Sequence, residues 1–179
     1  MTDSLHDFLS RDHERLDALL LCCVRDDGTI DPHPYAEFRQ GLLRHIAIEE
    51  KVLFPLLRKH RAVGAGPHGE RPEPPPATIE LESQLHRDHA ALAALLVPPP
   101  TRAEIEKIRA LLELHNPLEE LPGGLYEVIE GLAAEEISAL MEKVHAVPPV
   151  KLAPHADTPA VRSAIEKLIR DAETDRIEM

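Results

Sequence analysis

The chain has no tryptophan, and aromatic residues make up only 3% of it, so its core must be aliphatic. A core of Leu and Ala suits helices better than strands. Cysteine is almost missing too. The two present, Cys22 and Cys23, are adjacent, which excludes a disulfide framework and offers no zinc-ligand spacing. No apolar run approaches the ~20 residues that span a bilayer. The first residues, MTDSLHDFLSRDHERL, are charged throughout and lack the apolar segment of a signal peptide. Cytoplasm is the expected compartment, with no membrane partner. Basic residues are outnumbered, 20 Lys and Arg against 32 Asp and Glu, which leaves a net charge of −12. Such a surface repels a phosphate backbone, so no nucleic-acid partner is expected. Against these shortages, 43% of the residues are hydrophobic, enough for one domain with a core, and there are 11 histidines.

Proline and glycine divide the chain at residues 26–32, 64–76, 98–100 and 148–159. The segments between them predict helices at 3–25, 33–62, 78–97 and 102–121, the last resuming at 125–145, and a separate one at 159–177. Thr78 and Thr101 are the expected caps of two of these, Thr101 with Glu104 as a capping box. Asp157 or Thr158 before Pro159 suits a third start. Apolar stripes follow helical spacing: Leu5, Leu9, Leu16, Leu20 and Cys23; Phe38, Leu42, Val52 and Leu56; Leu81, Leu85, Leu92 and Leu96; Ile105, Ile108 and Leu112. Four one-sided helices joined by short loops imply an all-α, up-down four-helix bundle. Residues 1–146 form that bundle. Residues 147–179 form a Pro-rich linker and an additional C-terminal helix, packed on the bundle or on a homodimer partner.

The chain also repeats itself. RDHERLDALL at 11–20 returns as RDHAALAALL at 87–96, and His45-Ile-Ala-Ile-Glu49-Glu50 as His115-Asn-Pro-Leu-Glu119-Glu120. A looser echo links Leu53-Phe54-Pro55 with Leu125-Tyr126-Glu127. Each half thus has a lone His on one helix and an HxxxE pair on the next. All six residues are in phase with the stripes. Positions i and i+4 lie roughly 6 Å apart along a helix and about 40° apart around it, so each His–Glu pair points one way. Buried, unpaired carboxylates cost several kcal/mol, and two together repel. A pair of divalent cations resolves that cost, with imidazole and carboxylate suiting iron, manganese or zinc. Six ligands leave positions open for water or a small molecule.

This pattern, H…HxxxE…H…HxxxE over about 5–130 with the flanking words DHxxLxxLL and EExxLxP, resembles the haemerythrin-like, or HHE cation-binding, family. The resemblance implies an up-down four-helix bundle holding two iron ions, bridged by oxide or hydroxide. It assigns His13, His45, Glu49, His89, His115 and Glu119 as metal ligands, with Glu49 and Glu119 bridging. The oxygen carriers of that family have a further His where this chain has Leu85, and Asp where it has Glu119. The Glu form is closer to the bacterial sensing, iron-handling and iron-centre repair members. Repair members often carry a Cys-bearing N-terminal segment, which is not expected here. Pro117 removes a backbone donor between His115 and Glu119; Glu120 is the alternative ligand there.

Other residues have plainer expected roles. His86 is weighed as a seventh ligand against a surface position, His6 as a group behind the ligands. His33, His60, His68, His145 and His155 fall in loops or near helix ends. Tyr126 is expected to pack rather than approach the metals, and no acid–base group is evident beside the site. Two functions follow from the resemblance: binding or sensing of dioxygen, nitric oxide or peroxide, or iron handling; alternatively, a di-iron enzyme in repair of damaged iron centres or peroxide removal. A third reading is a bundle whose polar core satisfies itself without metal. Whether the chain is an enzyme is left open by the sequence.

Overall fold

The computed structural model of the chain describes residues 4–64, 76–133, 135–174 and 176, with backbone alone at 60–64 and 76–78. Every regular element among the described residues is helical; one isolated bridge joins Val24 to Ile30. The order is α1 (Leu5–Cys22), α2 (Pro32–Ile48), a π-helical turn (Glu49–Leu53), α3 (Phe54–Gly64), α4 (Pro76–Leu95), α5 (Arg102–Glu120), α6 (Leu125–Leu132), α7 (Ile137–Ala146) and α8 (Pro159–Glu173). The expected stretch at 125–145 is divided into α6 and α7. No helix among the described residues is long and apolar enough to cross a membrane.

Local chemistry sets these ends. Ser4, Asp31, Thr101 and Thr158 each accept a backbone N–H at a helix start. The capping box at Thr101 is half formed: Glu104 Oε1 accepts from Arg162 Nη1 at 2.5 Å instead of returning to the cap. Thr78 is not a cap, because α4 already runs at Pro76.

The π turn changes the expected core. It closes with Phe54 N–H donating to Glu49 O, an i to i+5 bond that inserts one extra residue into the turn. The face beyond it rotates by a residue. Leu53, Phe54 and Leu57 are therefore buried, while Val52 and Leu56, expected on the stripe, are only half-buried. Elsewhere the stripes of α1 and α4 are fully buried, as are Ile105 and Ile108 on α5. Leu112 is half-buried, and Leu111 takes the core position.

Two apolar clusters result. One gathers Leu5, Leu9, Ile48, Leu53, Leu85 and Leu118; the other gathers Leu16, Leu20, Leu42, Leu92, Ile108 and Leu111. On α1 the boundary falls between Leu9 and Leu16, on α4 between Leu85 and Leu92, and on α5 between Leu111 and Leu118. His13, His89 and His115 occupy those gaps, so a polar layer lies between two greasy ones.

The C-terminal part is held closely. Residues 147–158 run as an extended strap. Its carbonyls at Val147, Val150 and Ala153 accept from Arg44, Gln40 and Arg39, which are spaced along one side of α2. Pro148, Pro149 and Pro154 lack an N–H but keep their carbonyls, and Ala156 N–H donates back to Val97 O at 3.0 Å. α8 then lies along α4 with Ile165 and Ala172 buried.

Candidate metal centre

His13 from α1, His45 from α2, Glu49 from the π turn, His89 from α4, and His115 and Glu119 from α5 converge in the polar layer, all of them buried. They form two groups, His13–His45–Glu49–Glu119 and His89–His115–Glu49–Glu119. Within each, one ligand atom per residue lies within 4.8 Å of the others. Each carboxylate divides its oxygens between the groups. In the first, His45 Nε2 is 3.2 Å from Glu49 Oε1 and His13 Nε2 is 3.3 Å from Glu119 Oε2. In the second, His89 Nε2 is 3.1 Å from Glu49 Oε2 and His115 Nε2 is 3.0 Å from Glu119 Oε1. Pro117 is accommodated inside α5 without breaking the His115–Glu119 pair.

The outer nitrogens follow one rule. His13 Nδ1 donates to Glu120 Oε1 at 2.5 Å, His45 Nδ1 to Asp12 Oδ2 at 3.0 Å, His89 Nδ1 to Glu50 Oε1 at 2.9 Å and His115 Nδ1 to Asp88 Oδ2 at 3.3 Å. A carboxylate behind each ring places the proton on Nδ1 and turns a basic Nε2 inward, the arrangement that metal-ligating imidazoles use. Glu120 is accordingly not the alternative ligand: it faces the outer side of His13, with Glu119 inside.

The residues present suit divalent cations. In the second group His89 Nε2, Glu49 Oε2 and Glu119 Oε1 are buried and make no hydrogen bond, although His89 Nε2 lies 3.1 Å from Glu49 Oε2 and 3.6 Å from Glu119 Oε1. Close but misaligned, they aim into shared space and not at one another. In the first group His13 Nε2 and His45 Nε2 face each other at 2.8 Å. With both Nδ1 atoms donating outward, two lone pairs would meet there unless a proton or a cation lies between them. A core of neutral imidazoles is thereby disfavoured, since buried polar groups rarely go unpaired; the layer needs protons or cations. The buried clusters can hold metal ions.

Electrostatics tell the same story. Four imidazoles are surrounded by six carboxylates, so the site demands positive charge. Burial works against a protonated His45, but the charge of Glu49 and hydrogen bonds to Asp12 and Glu49 outweigh it and lift its pKa to about 10. His13, His89 and His115 are also raised against the pull of burial, by their carboxylate partners. Burial pushes Glu49 and Glu119 up, yet the neighbouring imidazoles hold both below the usual carboxylate range. Protons on the imidazoles thus play the part that cations can take.

Tyr126 belongs to the site, contrary to the packing role expected of it. Its hydroxyl is fully buried and lies 2.9 Å from Glu49 Oε1 and 3.0 Å from Glu119 Oε2. It is also 3.2 Å from His45 Nε2 and 3.4 Å from His13 Nε2. It therefore touches all four inward residues of the first group. Burial and the two carboxylates raise its pKa well above the usual value, so it stays a neutral donor. Its counterpart in the repeat, Phe54, stacks on His89 at 5.7 Å between centroids and brings no hydroxyl. The π turn delivers Phe54. Pro122-Gly123-Gly124 delivers Tyr126, with Gly123 at φ +84° and Gly124 so close that a Cβ would meet three carbonyls at 2.8 Å.

The other histidines lie outside the ligand set. His86 is exposed and donates to Glu50 Oε1 at 2.9 Å, sharing that acid with His89. His6 Nε2 donates to Glu120 O at 2.9 Å and its ring meets Tyr126 edge-on. His33 pairs with Glu37, His145 packs on Phe8, and His155 donates to Val97 O. His68 and the side chain of His60 lie outside the described residues. A cavity of about 470 Å³ opens between α1, α2 and α5 and reaches His13, Asn116 and Glu120. The sequence reading gives no role to Asp12, Glu50 and Asp88, offers Glu120 as an alternative ligand and favours packing for Tyr126. The signal was present in the doubled words, Asp12-His13, Asp88-His89, Glu49-Glu50 and Glu119-Glu120. Comparison of the chain with family models, with curated proteins and with solved structures gives no match.

Proposed function

We propose that this chain is a di-iron protein of the haemerythrin-like kind, an up-down four-helix bundle that binds or senses dioxygen, nitric oxide or peroxide, or handles iron. The observation that supports this best is the sharing of Glu49 and Glu119, each giving one oxygen to either His pair. Two metals bridged by two carboxylates need that arrangement. His13 and His45 would hold one iron, His89 and His115 the other; manganese or zinc suits the same donors. Iron in such a site supplies redox chemistry and an affinity for small oxygen and nitrogen ligands.

The protein's own residues do the rest. Asp12, Glu50, Asp88 and Glu120 hold the imidazoles in one tautomer. The apolar clusters above and below keep bulk water away. Tyr126 offers an O–H to whatever small ligand is bound at the His13–His45 end. The cavity beside His13 brings a small molecule to the edge of the polar layer.

The enzyme reading gains from Tyr126, a buried hydroxyl placed among the ligands of one half-site and able to supply a proton there. Metal analysis of anaerobically purified protein, with its absorption spectrum before and after dioxygen, tests both. About two irons per chain with a near-ultraviolet band that appears with oxygen and fades on its removal supports reversible binding. The same irons oxidised irreversibly favour an enzyme or iron handling. No metal, or unchanged metal content in His45→Ala/His115→Ala, refutes the site.

A further inference from the structure

The C-terminal arm reaches the polar layer from outside. Arg176 grips Asp88 with two hydrogen bonds, Nη2 to Oδ1 at 2.6 Å and Nη1 to Oδ2 at 3.2 Å. Its Nη1 also donates to Leu114 O at 3.3 Å, one residue before His115. Gln84 Nε2 ties the same Oδ1 (2.9 Å) to Ala172 O of α8 (2.8 Å). Asp88 is wholly buried, and its Oδ2 is the acceptor that holds His115 Nδ1.

That last bond is the weakest of its kind. At 3.3 Å it is longer than the 2.5, 3.0 and 2.9 Å bonds behind His13, His45 and His89. An oxygen committed to a guanidinium has less charge to give an imidazole. The matching acid of the first half, Asp12, also meets an arginine, Arg15 at 2.7 Å. But Arg15 is 50% exposed and screened by water, whereas Arg176 is 14% exposed. The repeat therefore has one acid held by an exposed arginine and one held by a largely covered arginine at equivalent places.

We propose that Arg176 is a positioning residue that restrains Asp88, so that the cation at His89 and His115 is held more weakly than the cation at His13 and His45. The inference rests on the two-cation reading above. If Arg176 is removed, Gln84 still holds Oδ1, and Oδ2 turns its full charge on His115. The imidazole becomes a stronger donor, and a positive charge leaves the neighbourhood of a cation. Docking of the C-terminal arm thus makes the two half-sites unequal.

Anaerobic titration of the full chain with Co(II), followed by visible absorption and heat, tests this. The wild type should bind two Co(II) in two unequal steps. Arg176→Ala should tighten the weaker step by about tenfold and leave the stronger unchanged. Arg176→Lys, which keeps the charge, should restore the wild-type inequality. In an Asp88→Asn background, Arg176→Ala should change nothing further, because the arginine acts through the acid. Should Arg176→Ala unfold α8, Arg176→Gln reads the same step with hydrogen bonds retained. No Co(II) uptake by the wild type overturns the two-cation reading itself. Two Co(II) bound, with the weaker step unchanged or loosened by Arg176→Ala or the effect surviving Asp88→Asn, overturns the role of Arg176 alone.

Discussion

Changing Tyr126 to Phe removes one oxygen and keeps the ring. With no metal bound, that oxygen is the neutral donor lying between two carboxylates, 2.9 Å from Glu49 and 3.0 Å from Glu119. Hydrogen bonds to charged groups contribute about 1.5–3 kcal/mol, and a buried carboxylate oxygen that loses its donor bears the full desolvation penalty. Tyr126→Phe should therefore destabilise the metal-free protein by about 2 kcal/mol. For a domain of this length that is a fall of about 6 °C in Tm. With cations bound, the same oxygens face positive charge, and the hydroxyl is one partner among several. The cost should then drop below about 1 kcal/mol, or roughly 2 °C. Thermal melts followed by circular dichroism, in chelator and in saturating Co(II), measure both. An equal fall in the two states, or no fall in chelator, refutes the idea that this hydroxyl serves carboxylates awaiting a cation.

Three further outcomes are expected. Glu119→Ala should abolish binding of both cations, since each of its oxygens serves a different group, while Glu120→Gln should keep the stoichiometry and weaken affinity by about 10–100-fold; the reverse result, read by metal analysis, would mean the two acids exchange roles. Cation uptake should release protons, at least about two per chain near neutral pH, because imidazoles held protonated must shed them; pH-stat titration with no proton release would contradict this. In chelator, stability should be greatest between about pH 4.5 and 6.5. His45, raised above its unfolded value of 6.5, stabilises fully below that value and loses its contribution as pH rises through about 10. Glu49, depressed from 4.5, stabilises above that value and loses its contribution as pH falls through about 2. Denaturant titrations across that range show the dome or its absence.

Helical period and repeated words made the ligand positions legible, because His13, His45, His89 and His115 interrupt apolar stripes at core phase. The all-helical class was equally plain from composition and spacing. What escaped was anything that depends on a change of phase. The π turn at Glu49–Leu53 contains no proline or glycine, and Pro55 just beyond it, which cannot donate to the Lys51 carbonyl, does not by itself mark a change of phase, so Val52 and Leu56 looked like core and Leu53 and Leu57 did not. Tyr126 lies beyond a helix break, and distance along the chain says nothing about a side chain that returns across Gly124. The acids behind the imidazoles sit one residue off the ligand phase, where periodicity assigns a solvated flank. Asp88 shows why that assignment fails: α8 covers the flank, and Arg176 beyond its end, 88 residues later, grips the acid.

The exchange of acids between the two halves has a consequence for ancestry. Glu50 of the first hairpin supports His89 of the second, and Glu120 of the second supports His13 of the first. One hairpin alone therefore carries ligands without all their supports. Two copies of a single ancestral hairpin, related by a two-fold axis, would have supplied the complete set by symmetry. Joining those copies end to end preserves the site and removes the need for its two sides to stay identical. Phe54 against Tyr126, and Arg15 against Ala91, are the divergence that such a fusion permits.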